Sequence, residues 1–389
     1  VTITFDQSYP CGTFANGDYW VIPASTGGTV TIDSMTPAFD GSEHGWEVNP
    51  DNISDQGFDH RAHNFDAGRV PALPYTATPD ASIVKAISVD SADVDCRPCL
   101  DTAVVLTVLH AAPPADGATS FRPGYFGTDK TIIDTSTLQP SLLPALAATA
   151  DTPTLDSIRD SYQRVQLDHQ NNWSGRFIHP VQNMPDYGSS IGRLSGDAAL
   201  RLMLDDSADD KEPALINYVQ FGIDLYSMML GGQSWPANGG HHNGRKLALV
   251  FAAAILDHQG MQDALAAAPH GTFGEDGMLS IGSEAQQVIW GQDCSEAMYW
   301  QNQTDQSGSR TCKDPYGYID GGETPGGSYQ ACCNSGMWKG TALALFLMPE
   351  LRCLWNNEMY LDYVDRWVTA GAVAQPDPCA PSDGNPANS

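Results

Sequence analysis

The sequence predicts an α+β protein, an N-terminal β-sandwich-like region followed by a helical, (α/α) toroid-like domain. Three observations predict this. Residues 1–139 carry short β-branched and aromatic runs broken by Gly, Pro, Asn and Asp. From Asp156 onward apolar residues recur at helical spacing, and a stretch rich in Ala, Leu and Pro at 140–155 separates the two textures. The expected division is a β-rich domain at 1–139, a linker at 140–155, a helical domain at 156–374 and a mobile tail at 375–389.

The expected strands are Val1–Phe5, Tyr19–Pro23, Thr29–Asp33, Ser82–Val89 and Ala103–His110, with Tyr19 and Trp20 read as core. Ser195-Gly-Asp197 reads as the cap of a helix over Ala198–Leu204. Pro213 sits near the first turn of a helix over Ala214–Leu230, where Leu215, Val219, Ile223 and Tyr226 share one face. Gly231-Gly232 stops it, and Arg245–His258 is the next helix. Glu284–Trp290, Trp338–Leu347 and Glu358–Thr369 complete the set. Short connections make such helices antiparallel hairpins, and a ring of hairpins makes a toroid with a central cleft. A compact orthogonal bundle gives the same pattern.

Charge and composition exclude several classes. The formal net charge is −28, from 47 acids, 38 of them Asp, against 19 Lys and Arg. Such a surface repels nucleic acid and anionic membranes. No apolar run approaches the roughly 20 residues that cross a bilayer, so no membrane insertion is expected. The chain opens at Val1 without a basic or apolar leader and has nine cysteines, which points to a secreted, extracellular protein whose signal segment has been removed. Cys294, Cys312, Cys332 and Cys333 read as local disulfide staples. Cys96-Arg97-Pro98-Cys99 has zinc-ligand spacing but no second pair to complete it, and the odd count leaves a thiol free or paired between chains. No metal site or cofactor is expected; Asp-rich loops suit Ca²⁺, but no EF-hand motif is present. Neither a Gly-x-Ser-x-Gly elbow, a phosphate loop, a dinucleotide fingerprint nor a His-Glu-x-x-His helix occurs.

The segment with the most chemistry is Gly231–Lys246, which joins two helices and sets glycines among Trp235, Asn238, His241, His242, Asn243 and Arg245. Glycine lets backbone approach a ligand, and loops held by helices commonly carry function. Within 163–246, seven Lys and Arg face nine acids, whereas the other residues carry twelve against 38. That local relief from negative potential suits an anionic substrate. The expected catalytic set is His242, His241, Tyr187 and Arg245, with Trp235, Asn238, Trp173 and Arg176 binding substrate. Glu275 is the candidate for acid chemistry; Asp320 and Glu323 form a second acidic spot. Each residue also has a plainer role: histidines and Arg245 as loop caps, Trp173 and Arg176 as packing, Glu275 as one acid among many. Asp59-His60-Arg61 with His63 and Asn64 reads as a surface knot.

Cys11-Gly-x-Phe14 with Gly17–Trp20, then Gly239–Lys246, then Asp314-Pro-Tyr316 through Tyr329 to Leu354–Asn356 and Asp362–Trp367 form a spaced set of motifs. They resemble large secreted proteins of environmental bacteria whose helical part is similar to (α/α)-toroid polysaccharide lyases and glycoside hydrolases. The resemblance implies a Tyr or His base beside Asn, His and Arg that neutralise a uronate; Asn238, His241, His242, Arg245 and Tyr187 have those types. The intact signatures of chondroitin or alginate lyases are absent. The expectation is a secreted polysaccharide lyase acting by β-elimination on a uronic-acid polymer. The alternatives are a glycoside hydrolase with paired carboxylates, or a non-catalytic carbohydrate-binding or assembly protein that forms oligomers or filaments.

Overall fold

The computed structural model describes residues 1–92, 96–281, 288–290 and 333–370. Expectations placed on Cys294, Cys312, Cys332, Asp320, Glu323, the Asp314–Tyr329 motifs and the 375–389 tail lie outside them. The chain is α+β and divides into two units. Unit one comprises Val1–Asp186, Arg201–Ser234 and Ala248–Ala264; unit two comprises Tyr187–Leu200, Trp235–Leu247 and the chain from Leu265. This differs from the division at 140–155, because several helices belong to the same unit as the strands.

In unit one, β2 (Cys11–Thr13), β3 (Tyr19–Val21), β8 (Leu100–Val108), β7 (Ala81–Ser88) and β5 (Trp46–Val48) form a five-stranded sheet in that order. β1 (Thr2–Phe5), β4 (Val30–Thr36) and β6 (Tyr75–Ala77) form a second sheet, ordered β1-β4-β6. β7 and β8 are long, β-branched and buried along most of their length, as central strands must be. They pair antiparallel, while β3 lies parallel to β8 with Tyr19 opposite Leu106. Val30, Ile32 and Met35 from one sheet share an apolar core with Val21, Trp46, Ile83 and Val108 from the other. The three-residue strands β2, β5 and β6 have no sequence signal of their own and are held by longer neighbours.

Two helices of unit one are set by their caps. Thr154 accepts from the Ser157 N–H at 3.0 Å to start α1 (Leu155–Tyr162). Ser207 accepts from the Asp210 N–H at 3.1 Å to start α3 (Ala208–Leu230), where Asp209 and Asp210 complement the helix dipole. α3 thus begins six residues earlier than expected and carries Pro213 inside. Tyr162 packs its ring 5.0 Å from Tyr218 and 5.5 Å from Phe221. The tie between strands and helix is ionic: buried Arg122 donates to Asp18 at 2.5 Å and to both oxygens of Asp224 on α3, at 2.8 and 2.5 Å.

α2 (Gly188–Leu202) lies in unit two up to Leu200. Ser195 is therefore mid-helix and fully buried rather than a cap. A Cβ on Gly196 would stand 3.3 Å from Gly340 of α7 (Ser335–Leu347), so this stretch is a packing seam. α4 (Arg245–Ile255) ends three residues before the expected His258; α5 is Gln259–Ala267 and α6 the single turn Gly274–Gly277. The helix expected over Glu284–Trp290 is not formed at its end: Val288–Trp290 is β10, antiparallel to β9 (Leu279–Ile281), as its β-branched and aromatic residues favour. α8 (Pro349–Trp355) and α9 (Glu358–Ala370) follow. Trp338, Trp355 and Tyr360 cluster, with ring centroids 5.3 and 4.8 Å apart, and Ser335 shares a 2.6 Å hydrogen bond with Tyr363.

Candidate functional site

Gly231-Gly232 ends α3, and the segment from Trp235 to Lys246 belongs to unit two with Tyr187 and the residues after Leu265. The Trp235 N–H donates to Thr272 O at 2.7 Å, and its ring stacks on Phe273 at 5.8 Å with 12° between planes. At 1 % exposure Trp235 is core, not the sugar platform expected of it.

The loop then turns tightly. The His241 N–H donates to Asn238 O at 3.1 Å, leaving Asn238 and His241 half-buried. Tyr187, just before α2, sets its ring edge-to-face with His241, centroids 4.9 Å apart and planes at 83°. Two glycines make this approach possible. A Cβ on Gly188 would lie 2.0 Å from His241 O, and one on Gly240 would lie 2.6 Å from the Tyr187 hydroxyl. Tyr187 is half-buried as well, so two proton-carrying rings meet at a partly open place.

The other polar groups of the loop turn inward. His242 is 4 % exposed and its Nδ1 stands 2.7 Å from Pro236 O, so that nitrogen carries the proton. Arg245 is 1 % exposed, and one guanidinium nitrogen donates to His241 O at 3.0 Å and Asn243 O at 2.8 Å. It braces the turn through these carbonyls, whereas the sequence placed it in the catalytic set beside a uronate. Asn243 donates to Cys333 O at 3.1 Å, lies 2.8 Å from the Asn334 amide and accepts from the Trp338 indole at 3.2 Å. Asn334 and Trp338 lie about 90 positions downstream, and no spacing in the sequence signals them.

Behind the loop, Glu275 of α6 accepts the Gly244 N–H at 2.6 Å. Burial pushes its carboxyl up to about 7, against the pull of that hydrogen bond. At 2 % exposure it supports the loop from within. Asp276 receives Lys246 at 2.8 and 2.7 Å and Asn357 at 2.7 Å, and the Lys246 ammonium lies 4.3 Å from the Trp355 ring centre. Burial lowers the Lys246 pKa against the attraction of Asp276. Neither carboxylate of this pair faces outward as a hydrolytic pair must.

Trp173 and Arg176 belong to unit one. Trp173 is 41 % exposed and packs against His63 and Phe177, at 4.8 and 5.5 Å. Arg176 is paired with Asp186, Nε to Oδ1 at 2.8 Å. Nearby in the chain, His179 Nε2 donates to Asp168 Oδ1 at 3.1 Å, and the Tyr125 hydroxyl meets His169 Nδ1 at 3.0 Å, all four buried. Desolvation pulls His169 down to about 3. This network escapes sequence reading because it joins residues 11 and 44 positions apart without a motif.

Asp59, Cys96 and Cys99 bring three ligand atoms within 4.8 Å of one another. The two sulfurs form a disulfide, and Asp59 grips Arg61 with both oxygens, at 3.0 and 2.8 Å. The zinc-like spacing of the sequence resolves into a local bridge. Cys333 is also disulfide-bonded, while Cys11 and Cys353 are exposed free thiols. No described helix is long and apolar enough to cross a membrane. Compared with known family models, curated proteins and solved structures, the chain matches none.

Proposed function

We propose that the chain is a secreted polysaccharide-degrading enzyme that cleaves a uronic-acid-containing polymer by β-elimination, with Tyr187 and His241 moving the protons. The observation that carries this is the edge-to-face contact of those two rings, both partly open, across Gly240. In the proposed step the proton on C5 of the uronate passes to the His241 imidazole. The electron pair left behind forms the C4–C5 double bond, the C4–O bond breaks, and the leaving oxygen takes the Tyr187 phenolic proton. Charge that develops on the uronate carboxylate needs a donor. Arg245 is committed to carbonyls, so half-buried Asn238, in the same loop, is assigned that part.

The proposal extends to a toroid-like arrangement of the helix hairpins, with the Tyr187–His241 pair facing its cleft. Purified protein on polygalacturonate, alginate and hyaluronan is expected to release products absorbing near 235 nm, the mark of a C4–C5 double bond conjugated to a carboxylate (about 10²–10⁴-fold is the usual worth of one proton-transfer group). Tyr187→Phe and His241→Ala are each expected to lose activity by that factor. New reducing ends without the absorbance favour hydrolysis instead. No turnover on any glycan, with filaments visible by microscopy, favours an assembly protein.

A further inference from the structure

Unit one holds a cavity of about 350 Å³ that the proposed elimination does not use. That size falls in the roughly 300–1,000 Å³ range of small-molecule sites. Phe126 and Ile223 line it with buried apolar surface, and Leu230, 57 % exposed, continues that surface outward. Tyr226 and His258 meet edge-to-face at 5.6 Å on its wall, both half-buried. The Met261 N–H donates to His258 Nδ1 at 3.2 Å, so the neutral ring keeps its proton on Nε2. Asp129 is exposed at the rim; its Oδ1 takes the Thr131 N–H and hydroxyl, at 2.9 and 2.7 Å, and Oδ2 makes no described hydrogen bond.

The loop that carries these groups is already fixed. Buried Lys130 donates to Gly124 O and Gly127 O at 3.0 and 2.6 Å, the Gly127 N–H donates to Pro50 O at 2.8 Å, and the Tyr125 N–H donates to Asp224. A preformed loop loses little freedom on binding. Charge narrows the ligand. Burial, and then the charges of Asp129 and Asp263, raise the Tyr226 pKa. Lys130, the cation of this loop, spends its ammonium on carbonyls. An anionic ring is repelled from such a mouth.

An apolar lining with an aromatic ring, bordered by a carboxylate oxygen and an imidazole N–H, matches a ring with C–H faces and hydroxyl edges. We infer that this cavity binds a neutral pyranose, with a C–H face against Tyr226 and Leu230 and a hydroxyl donated to Asp129. It is a site for sugar separate from the elimination chemistry, and it stands on the cavity alone.

The test is titration of the full chain with methyl glucopyranoside and glucuronate, followed by saturation-transfer NMR and calorimetry. The neutral glycoside is expected to bind saturably in the roughly millimolar range usual for a single small ring, and glucuronate not at all. Asp129→Asn and Tyr226→Ala are each expected to weaken binding at least about fivefold, with His241→Ala unchanged. Tyr226 is half-buried, so circular dichroism checks that variant; Asp129 is exposed, and its variant keeps the test decisive alone. Failure of the neutral glycoside to bind, preference for glucuronate, or full affinity in Asp129→Asn would overturn the inference. Because His241 serves only the elimination, sugar binding without turnover, or turnover without binding, separates the two proposals.

Discussion

The Gly244 N–H donates to one oxygen of Glu275 at 2.6 Å, while the other oxygen is buried without a hydrogen-bond partner among the described residues. A carboxyl held this way keeps its proton well above the usual range, up to about 7. The loop carrying His241 is therefore fastened to a group that is neutral in mildly acidic solution.

Stability is expected to fall as pH rises between about 4.5 and 7. Below the ordinary carboxyl value both folded and unfolded chains hold the proton. Between the two values only the folded chain does, so each pH unit costs about 1.4 kcal/mol, for a total on the order of 3 kcal/mol. Above 7 this contribution levels off. Glu275→Gln is expected to lose this contribution, giving a shallower fall over the same window and more stability than the parent at pH 8. Urea melts across pH 4–8 check this; a parallel slope in parent and variant removes Glu275 as the cause.

Breaking the Arg122 triad is expected to be costly. Asp18, Asp224 and Arg122 are all buried, and Arg122→Met leaves two carboxylates without their cation. The loss is expected near 3–5 kcal/mol, read as a lower urea midpoint with unchanged slope. Asp224→Asn is expected to cost less, since Arg122 keeps Asp18.

Tyr125→Phe removes the hydroxyl that accepts the Asp168 N–H at 3.2 Å and meets His169 at 3.0 Å. A buried N–H left unpaired costs about 1–3 kcal/mol. His169 stays neutral above its depressed value of about 3, so the cost is expected to be the same at pH 5 and pH 8. Thermal melts at both values decide it.

Gly188→Ala tests how the ring pair is positioned. Helix propensity alone favours alanine by about 1 kcal/mol. The added carbon meets His241 O at 2.0 Å and Gly240 O at 2.4 Å, both backbone, so repulsion prevails. Destabilisation of about 1–3 kcal/mol is expected, together with a fall in turnover at temperatures where the variant is fully folded. Unchanged melting would show that the α2 start shifts freely.

The sequence shows β7, β8 and most of α3 because each is long and periodic enough to signal itself. It hides β2, β5 and β6, which borrow stability from neighbours. It also hides the first half of α2: Gly188, Ser189, Ser190, Gly192, Ser195 and Gly196 are poor helix formers, and packing overrides them. The Gly/His loop is legible as unusual, and Tyr187 with His241 does come together. The direction each polar group faces is not legible. Glu275, Asn334 and Trp338, 31 to 95 positions away, hold Gly244 and Asn243, while His242 and Arg245 turn to carbonyls of their own loop. Likewise Arg122 finds partners 104 and 102 positions off, a distance over which residue type alone carries no information.

The parallel pairing of Tyr19–Val21 with Leu106–Val108 has a consequence for synthesis. β3 has β2 on one edge as soon as both are made, but must wait for some 85 further residues before its other neighbour exists. Until then that edge has no strand to pair with. Parallel partners that distant in sequence form slowly. The five-stranded sheet is therefore completed only after Leu100–Val108 has been made.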